Sequence, residues 1–170
     1  MKKLKYYLVL LVVLVSSTGC YAENHIKQAW WLTIDIPSKE TDLDGLSLSA
    51  FNSQWKYAVF LENQIIKKKI NNADYQKFLS SNFTFKKELD LNGNGISEVF
   101  RVGVYVDQDQ HNGIFLAIYE NNKLIKVMSD STHQNFSALL ESENQLLWYK
   151  CMECGDFEKL VWSGTSYFLE

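Results

Sequence analysis

From Phe83 to Ser129 the chain reads FTFKKELDLNGNGISEVFRVGVYVDQDQHNGIFLAIYENNKLIKVMS. Short runs rich in Val, Ile, Phe and Tyr alternate here with Asn-Gly, Asn-Asn and Gly-rich breaks. That is the texture of strands joined by tight turns. It predicts strands at Phe83–Leu89, Glu98–Val106, Gly113–Glu120 and Lys123–Ser129. The same punctuation continues to the C-terminus, giving strands at Phe136–Glu141, Gln145–Cys151, Glu158–Trp162 and Ser166–Leu169. Connections this short join antiparallel neighbours, because a parallel pair needs a crossover of a dozen residues or more.

Upstream the texture is different. Phe51, Trp55, Ala58, Val59 and Leu61 fall near helical spacing within Ser49–Asn63, with Ser47 or Ser49 as N-cap. Asn72 is placed to cap a second helix over Ala73–Leu79, and a third, short one is expected over Glu23–Trp31, which Pro37 keeps from running on. The polar stretch SKETDLDG at 38–45 reads as a loop. The expected fold is therefore α+β, with N-terminal helices packed on a C-terminal antiparallel β-meander. It forms a single domain over 23–170, helical over about 23–80 and β over about 83–170. A length of 170 residues suits one core. An apolar content of 46% and a charged content of 22% exclude a wholly disordered chain.

The first 22 residues read as a signal peptide. Lys2, Lys3 and Lys5 precede the unbroken apolar run Tyr6–Val15, and small or polar residues follow. That run is too short to span a bilayer core of about 30 Å as a helix. Two cuts compete. Ser17-Thr18-Gly19-Cys20 resembles the lipobox of bacterial lipoproteins, which implies cleavage before Cys20 and lipidation of that residue. Cleavage after Ala22 releases a soluble periplasmic protein instead. Either way the chain is expected in the cell envelope, touching membrane only through a lipid on Cys20.

Both cuts leave Cys151 and Cys154 as an even pair. In an oxidising compartment that pair reads as a disulfide clamping a turn. A zinc knuckle would need two more ligands, and a redox centre would need a helix N-terminus. The net charge of −3 falls further once the basic leader is lost, and Arg101 is the one arginine. Clustered cations are lacking, which argues against nucleic acid as a partner.

The sharpest local pattern is Asp90-Leu-Asn92-Gly-Asn94-Gly95-Ile96-Ser-Glu98. Calcium takes six to eight oxygens, and a wrapped loop supplies them from alternate positions, with a glycine at the sharp bend. Asp90, Asn92, Asn94, the Ile96 carbonyl and Glu98 occupy those places. The twelfth position, where an EF-hand needs a bidentate glutamate, is Arg101. The loop, followed by a strand, resembles the short calcium loops of FG-GAP and VCBS-type β repeats. The resemblance covers about a dozen residues and implies calcium and an extracytoplasmic β module without catalytic activity. The alternative is a metal-free Asn-Gly turn, whose residues accept positive φ.

Asp107, Asp109 and His111 form a second polar cluster, about 30 Å along the strand from the first, and read as a solvated hairpin turn. His25, His111 and His133 read as surface residues, and Trp30-Trp31 as core packing. The sequence carries no Gly-x-Ser-x-Gly elbow, His-Glu-x-x-His pair or phosphate-cradling loop. The functional expectation is a non-catalytic envelope module of the binding, inhibitor or immunity type, with another protein as partner and one calcium-stabilised loop. The alternative class is a small envelope hydrolase whose carboxylates converge only in the fold.

Overall fold

The computed structural model describes residues 29–143, 145–152 and 155–170. In chain order the elements are α1 (Trp30–Thr33), β1 (Asp42–Leu43), β2 (Leu46–Ser47), a 3-10 turn (Leu48–Ala50), β3 (Trp55–Phe60), α2 (Asn63–Lys69) and α3 (Asn72–Ser80). They continue with β4 (Lys86–Leu89), β5 (Glu98–Asp107), β6 (Asn112–Glu120), β7 (Lys123–Asp130), β8 (Ala138–Ser142), β9 (Gln145–Tyr149), β10 (Phe157–Trp162) and β11 (Tyr167–Leu169).

The expected α+β class is corrected by this order. The protein is mostly β, in three antiparallel sheets, and its helices are short, α1 preceding the first described strand and α2 and α3 lying between β3 and β4. One sheet has the order β3-β5-β6-β7, with β4 also on β5; a second has the order β11-β10-β9-β8; β1 and β2 form a small hairpin. The strands after Phe83 are thus divided between two sheets and do not form one meander. The backbone bridge between Thr84 and Leu139 joins the two sheets at one margin.

The largest correction is Ser49–Asn63, read as a helix. It holds the 3-10 turn and β3. The misleading spacing arose because β3 is covered on both faces. Val59 enters one core, while Ala58 and Phe60 enter the other. A strand buried on both sides loses the polar alternation that marks a strand, and a short apolar run then mimics one side of a helix. The helical part also contains β1 and β2, where a polar loop was expected. Asp44 and Gly45 both take positive φ, which closes this tight hairpin and lets Leu43 turn inward. The helix at Asn72–Ser80 is capped by Asn71, whose Oδ1 accepts from Asp74 N at 3.0 Å. Of the expected Glu23–Trp31 helix, residues 23–28 lie outside the described residues, and the single turn α1 follows instead.

Two cores result from the central sheet. Phe100, Val102 and Val104 of β5 and Ile114, Leu116 and Ile118 of β6 face the second sheet, meeting Leu139, Leu146, Trp148 and Leu160. Ile66 of α2 and Phe78 of α3 close this core, and Trp30 stands edge-on to Phe136 and Phe78. The opposite face presents Tyr105, Phe115, Ala117 and Tyr119, covered by Leu43, Leu48, Phe51 and Trp55. Arg101 fastens that cover. Its guanidinium lies 3.7 Å above the Phe60 ring and donates to Asp44 of the hairpin at 2.5 and 2.7 Å.

Candidate functional site: a loop and cleft at the mouth of two sheets

The Asp90–Glu98 loop joins β4 to β5 at one end of the main core. Asp90 is its hub. Its Oδ1 accepts from Gly93 N at 2.8 Å and Asn94 N at 3.1 Å, and its Oδ2 accepts from Gly95 N at 2.9 Å. Asn92 Oδ1 accepts from Asn94 N at 2.9 Å, and Asn94 Oδ1 from Ile96 N at 2.7 Å. Gly93 and Gly95 both adopt positive φ, which lets the chain curl around the carboxylate. This is why the sequence repeats short Asx residues and glycines here: side-chain oxygens replace the missing backbone partners.

The expected calcium ligands can now be placed. Asp90, Asn92 and Asn94 share one tight loop, and Glu98 begins β5 beneath it. Glu98 is fully buried; its Oε2 accepts from Leu91 N at 2.9 Å, while its Oε1 has no partner. A buried carboxylate oxygen without a partner is costly, and a cation would satisfy it. Every donor is oxygen, as calcium prefers. Asp90 already accepts three N–H groups of the roughly four that a carboxylate can take. Among the described residues, no three His, Cys, Asp or Glu side chains converge as a metal cluster. A calcium ion here would rest mainly on Glu98, the Asn amides and backbone carbonyls.

The sequence reading did not include Glu120. It ends β6, and its Oε1 accepts from Asn92 Nδ2 at 3.2 Å and Asn94 Nδ2 at 2.8 Å. The loop is thereby tied to the central sheet across 26–28 residues of sequence. Beside this contact the two sheets part, opening a cleft of about 380 Å³ lined by Asn92, Asn94, Glu120, Lys126, Trp162 and Tyr167 among others. Trp162 and Tyr167 are cross-strand partners on β10 and β11, with ring centroids 4.7 Å apart. The Tyr167 hydroxyl is buried beside Glu98 and Asn92 without a well-aligned hydrogen bond. Burial, then the Glu98 carboxylate, push that hydroxyl well above the ordinary tyrosine range. Strand register could have flagged the Trp162–Tyr167 pair around Ser163-Gly164, but nothing local to Glu120 points to the loop.

The other singled-out residues lie elsewhere. Asp107 and His111 close the β5–β6 hairpin, where Asp107 Oδ1 accepts from His111 N at 2.8 Å, as a solvated turn should. His133 is not a free surface residue. Its ring bridges Asp130 at 3.3 Å and Asp156 at 2.8 Å. Beside it Lys150 Nζ reaches Asp130 at 2.6 Å and Glu158 at 2.8 Å. Burial opposes the Asp130 charge, but hydrogen bonds from Lys150 and Thr132 outweigh it and hold the carboxyl far below the usual range. Cys151 is disulfide-bonded. Cys154 and Cys20, with the whole leader, lie outside the described residues. Among the described residues no helix is long and apolar enough to cross a membrane.

Fold and site together define a β protein of two main sheets and a small hairpin, with an Asx-built loop and a polar, aromatic-walled cleft at one mouth. No protein-family model matches the chain, and neither a curated protein nor a solved structure matches it.

Proposed function

We propose that the chain is a non-catalytic cell-envelope binding module, of the inhibitor or immunity type, whose working surface is the mouth of the two sheets. Calcium, held mainly by Glu98, Asn92, Asn94 and the Ile96 carbonyl, with Asp90 adding its one remaining lone pair, orders that surface. The observation carrying the calcium part is the buried Glu98 carboxylate, whose Oε1 has only the Tyr167 hydroxyl beside it, directly behind a loop built of side-chain oxygens. When bound, the ion would complete the oxygen shell of Glu98 and fix the loop from which Asn92 and Asn94 reach Glu120. Export rests on the leader sequence and on the even cysteine pair that remains without it.

Thermal unfolding tests the calcium part. An ion that binds only the folded state raises Tm according to RT ln(1 + [L]/Kd). With two carboxylates in the loop, the affinity belongs to the weak, extracellular range of about 10⁻⁴–10⁻³ M. Tm should therefore rise between chelator and millimolar calcium, and Asp90→Ala or Glu98→Gln should abolish the rise. Coincident wild-type curves would return the loop to a metal-free Asn-Gly turn.

A further inference from the structure

We infer that the cleft beside the loop binds a neutral sugar unit, a pyranose lying against Trp162 with its hydroxyl rim held by Asn92, Asn94, Glu120 and Lys126. This rests on the reading of the chain as a binding module and does not require calcium.

The wall supplies the first half of the argument. Trp162 is partly exposed in the cleft and backed by Tyr167, so the indole is held in place by packing. A pyranose carries C–H groups on one face and hydroxyls around its edge. It covers a flat aromatic surface while its rim remains free for hydrogen bonds.

The rim supplies the second half. Asn92 and Asn94 are fixed before any ligand arrives, because each gives one N–H to Glu120 and one oxygen lone pair to a backbone amide. Asn94 keeps one N–H and one lone pair, while the second N–H of Asn92 faces the Tyr167 hydroxyl and leaves that amide a lone pair. Glu120 engages both amides through Oε1, which leaves Oε2 as an acceptor. Lys126 makes no ion pair among the described residues and offers its ammonium as donor. Thr165 and Ser166 add neutral polar groups. Donors and acceptors thus line one cleft together with the Trp162 ring, and the single carboxylate balances the single ammonium. A phosphate or polyanion would be repelled by Glu120 as much as it is drawn to Lys126, and a cationic ligand the reverse. A hydroxyl, being donor and acceptor at once, suits every one of these groups. Pre-set polar groups around an apolar face also lower the ordering cost of binding.

The probes are cellobiose and chitobiose, which separate plain hydroxyl recognition from recognition of an acetamido group. Titration into full-length protein, followed by tryptophan fluorescence and calorimetry with glycerol as control, should give saturable binding of at least one disaccharide. Trp162→Ala and Glu120→Gln should each weaken it about tenfold or more, the loss expected for a charge-assisted hydrogen bond or an aromatic platform. Trp162→Phe should retain part of it and guards against misfolding of the alanine variant. Saturable binding lost in these variants supports the proposal. No saturation by either sugar in folded wild type, or binding indifferent to all three substitutions, overturns it. Repeating the titration in chelator separates the two readings: sugar binding with no calcium-dependent Tm refutes the ion alone, and a Tm rise without sugar binding refutes the sugar alone.

Discussion

Lys150→Met would test how much the polar cluster beneath β9 and β10 contributes to stability. Lys150 and Asp130 are only 11% and 12% exposed and meet at 2.6 Å, with Glu158 on the same ammonium at 2.8 Å. Methionine keeps most of the aliphatic stem and removes the charge, stranding Asp130 and Glu158. Breaking a buried ion pair from one side costs about 3–5 kcal/mol. Asp130 would keep two donations from Thr132, each 2.6 Å long, and Glu158 is more exposed, so the lower end, about 3 kcal/mol, is expected. With a urea m-value of about 2 kcal/mol/M, the midpoint should fall by roughly 1.5 M with the slope unchanged. A cycle with Asp130→Asn should show coupling above about 1 kcal/mol, since the residues touch. The sign with pH follows from the lowered Asp130 carboxyl. Its contribution is full above the unfolded value of about 3.9 and is lost as pH falls through the folded one. The variant's deficit should therefore shrink in acid. A cost below about 1 kcal/mol with no coupling would place the pair with exposed ion pairs and refute the reasoning.

Gly103→Ala should be severely destabilising, because an added Cβ would overlap the Phe115 ring and sit 2.5 Å from the backbone oxygen of Val59. Overpacking of this kind costs about 1–3 kcal/mol, and here the upper end applies because a backbone atom cannot step aside; chemical denaturation measures it. Cys151 is proposed to pair with Cys154, so peptide mapping after alkylation without reductant should recover the two joined, and Cys154→Ser should cost about 2 kcal/mol, as for a short closed loop.

What the sequence disclosed follows from how each segment is solvated. β6 and β7 stood out because Asn-Gly and Asn-Asn breaks bound them, and both Asn121 and Asn122 do take positive φ. β3 was misread because its neighbours cover both of its faces, so that Ala58, Val59 and Phe60 are all buried. α2 was missed because Ile65 and Ile66 are its only apolar residues and three lysines follow, too few apolar positions to set a helical period. The Asp90–Glu98 loop was legible because its hydrogen bonds are local, each Asx residue serving amides two to five positions ahead. Glu120, Lys126 and Trp162 were not legible as a site. Their meeting depends on strand register and on how two sheets splay, and neither is written in any short window.

β5 pairs with β3 through Gly103–Asp107 and with β4 through Glu98–Arg101 along the same edge, while β6 pairs with its other edge from Val99 to Val106. A single ten-residue strand therefore serves three partners. During synthesis β3 and β4 leave the ribosome with no edge to join, and they must wait for β5 to be made. Non-local pairing of this kind slows folding, because loop closure has to be achieved before the contacts reward it. The N-terminal half would spend that interval with Trp55, Phe60 and Phe78 uncovered, a state in which a holding chaperone gains a clear target and a nascent-chain truncation before residue 98 keeps the β1–β2 hairpin but cannot form the central sheet.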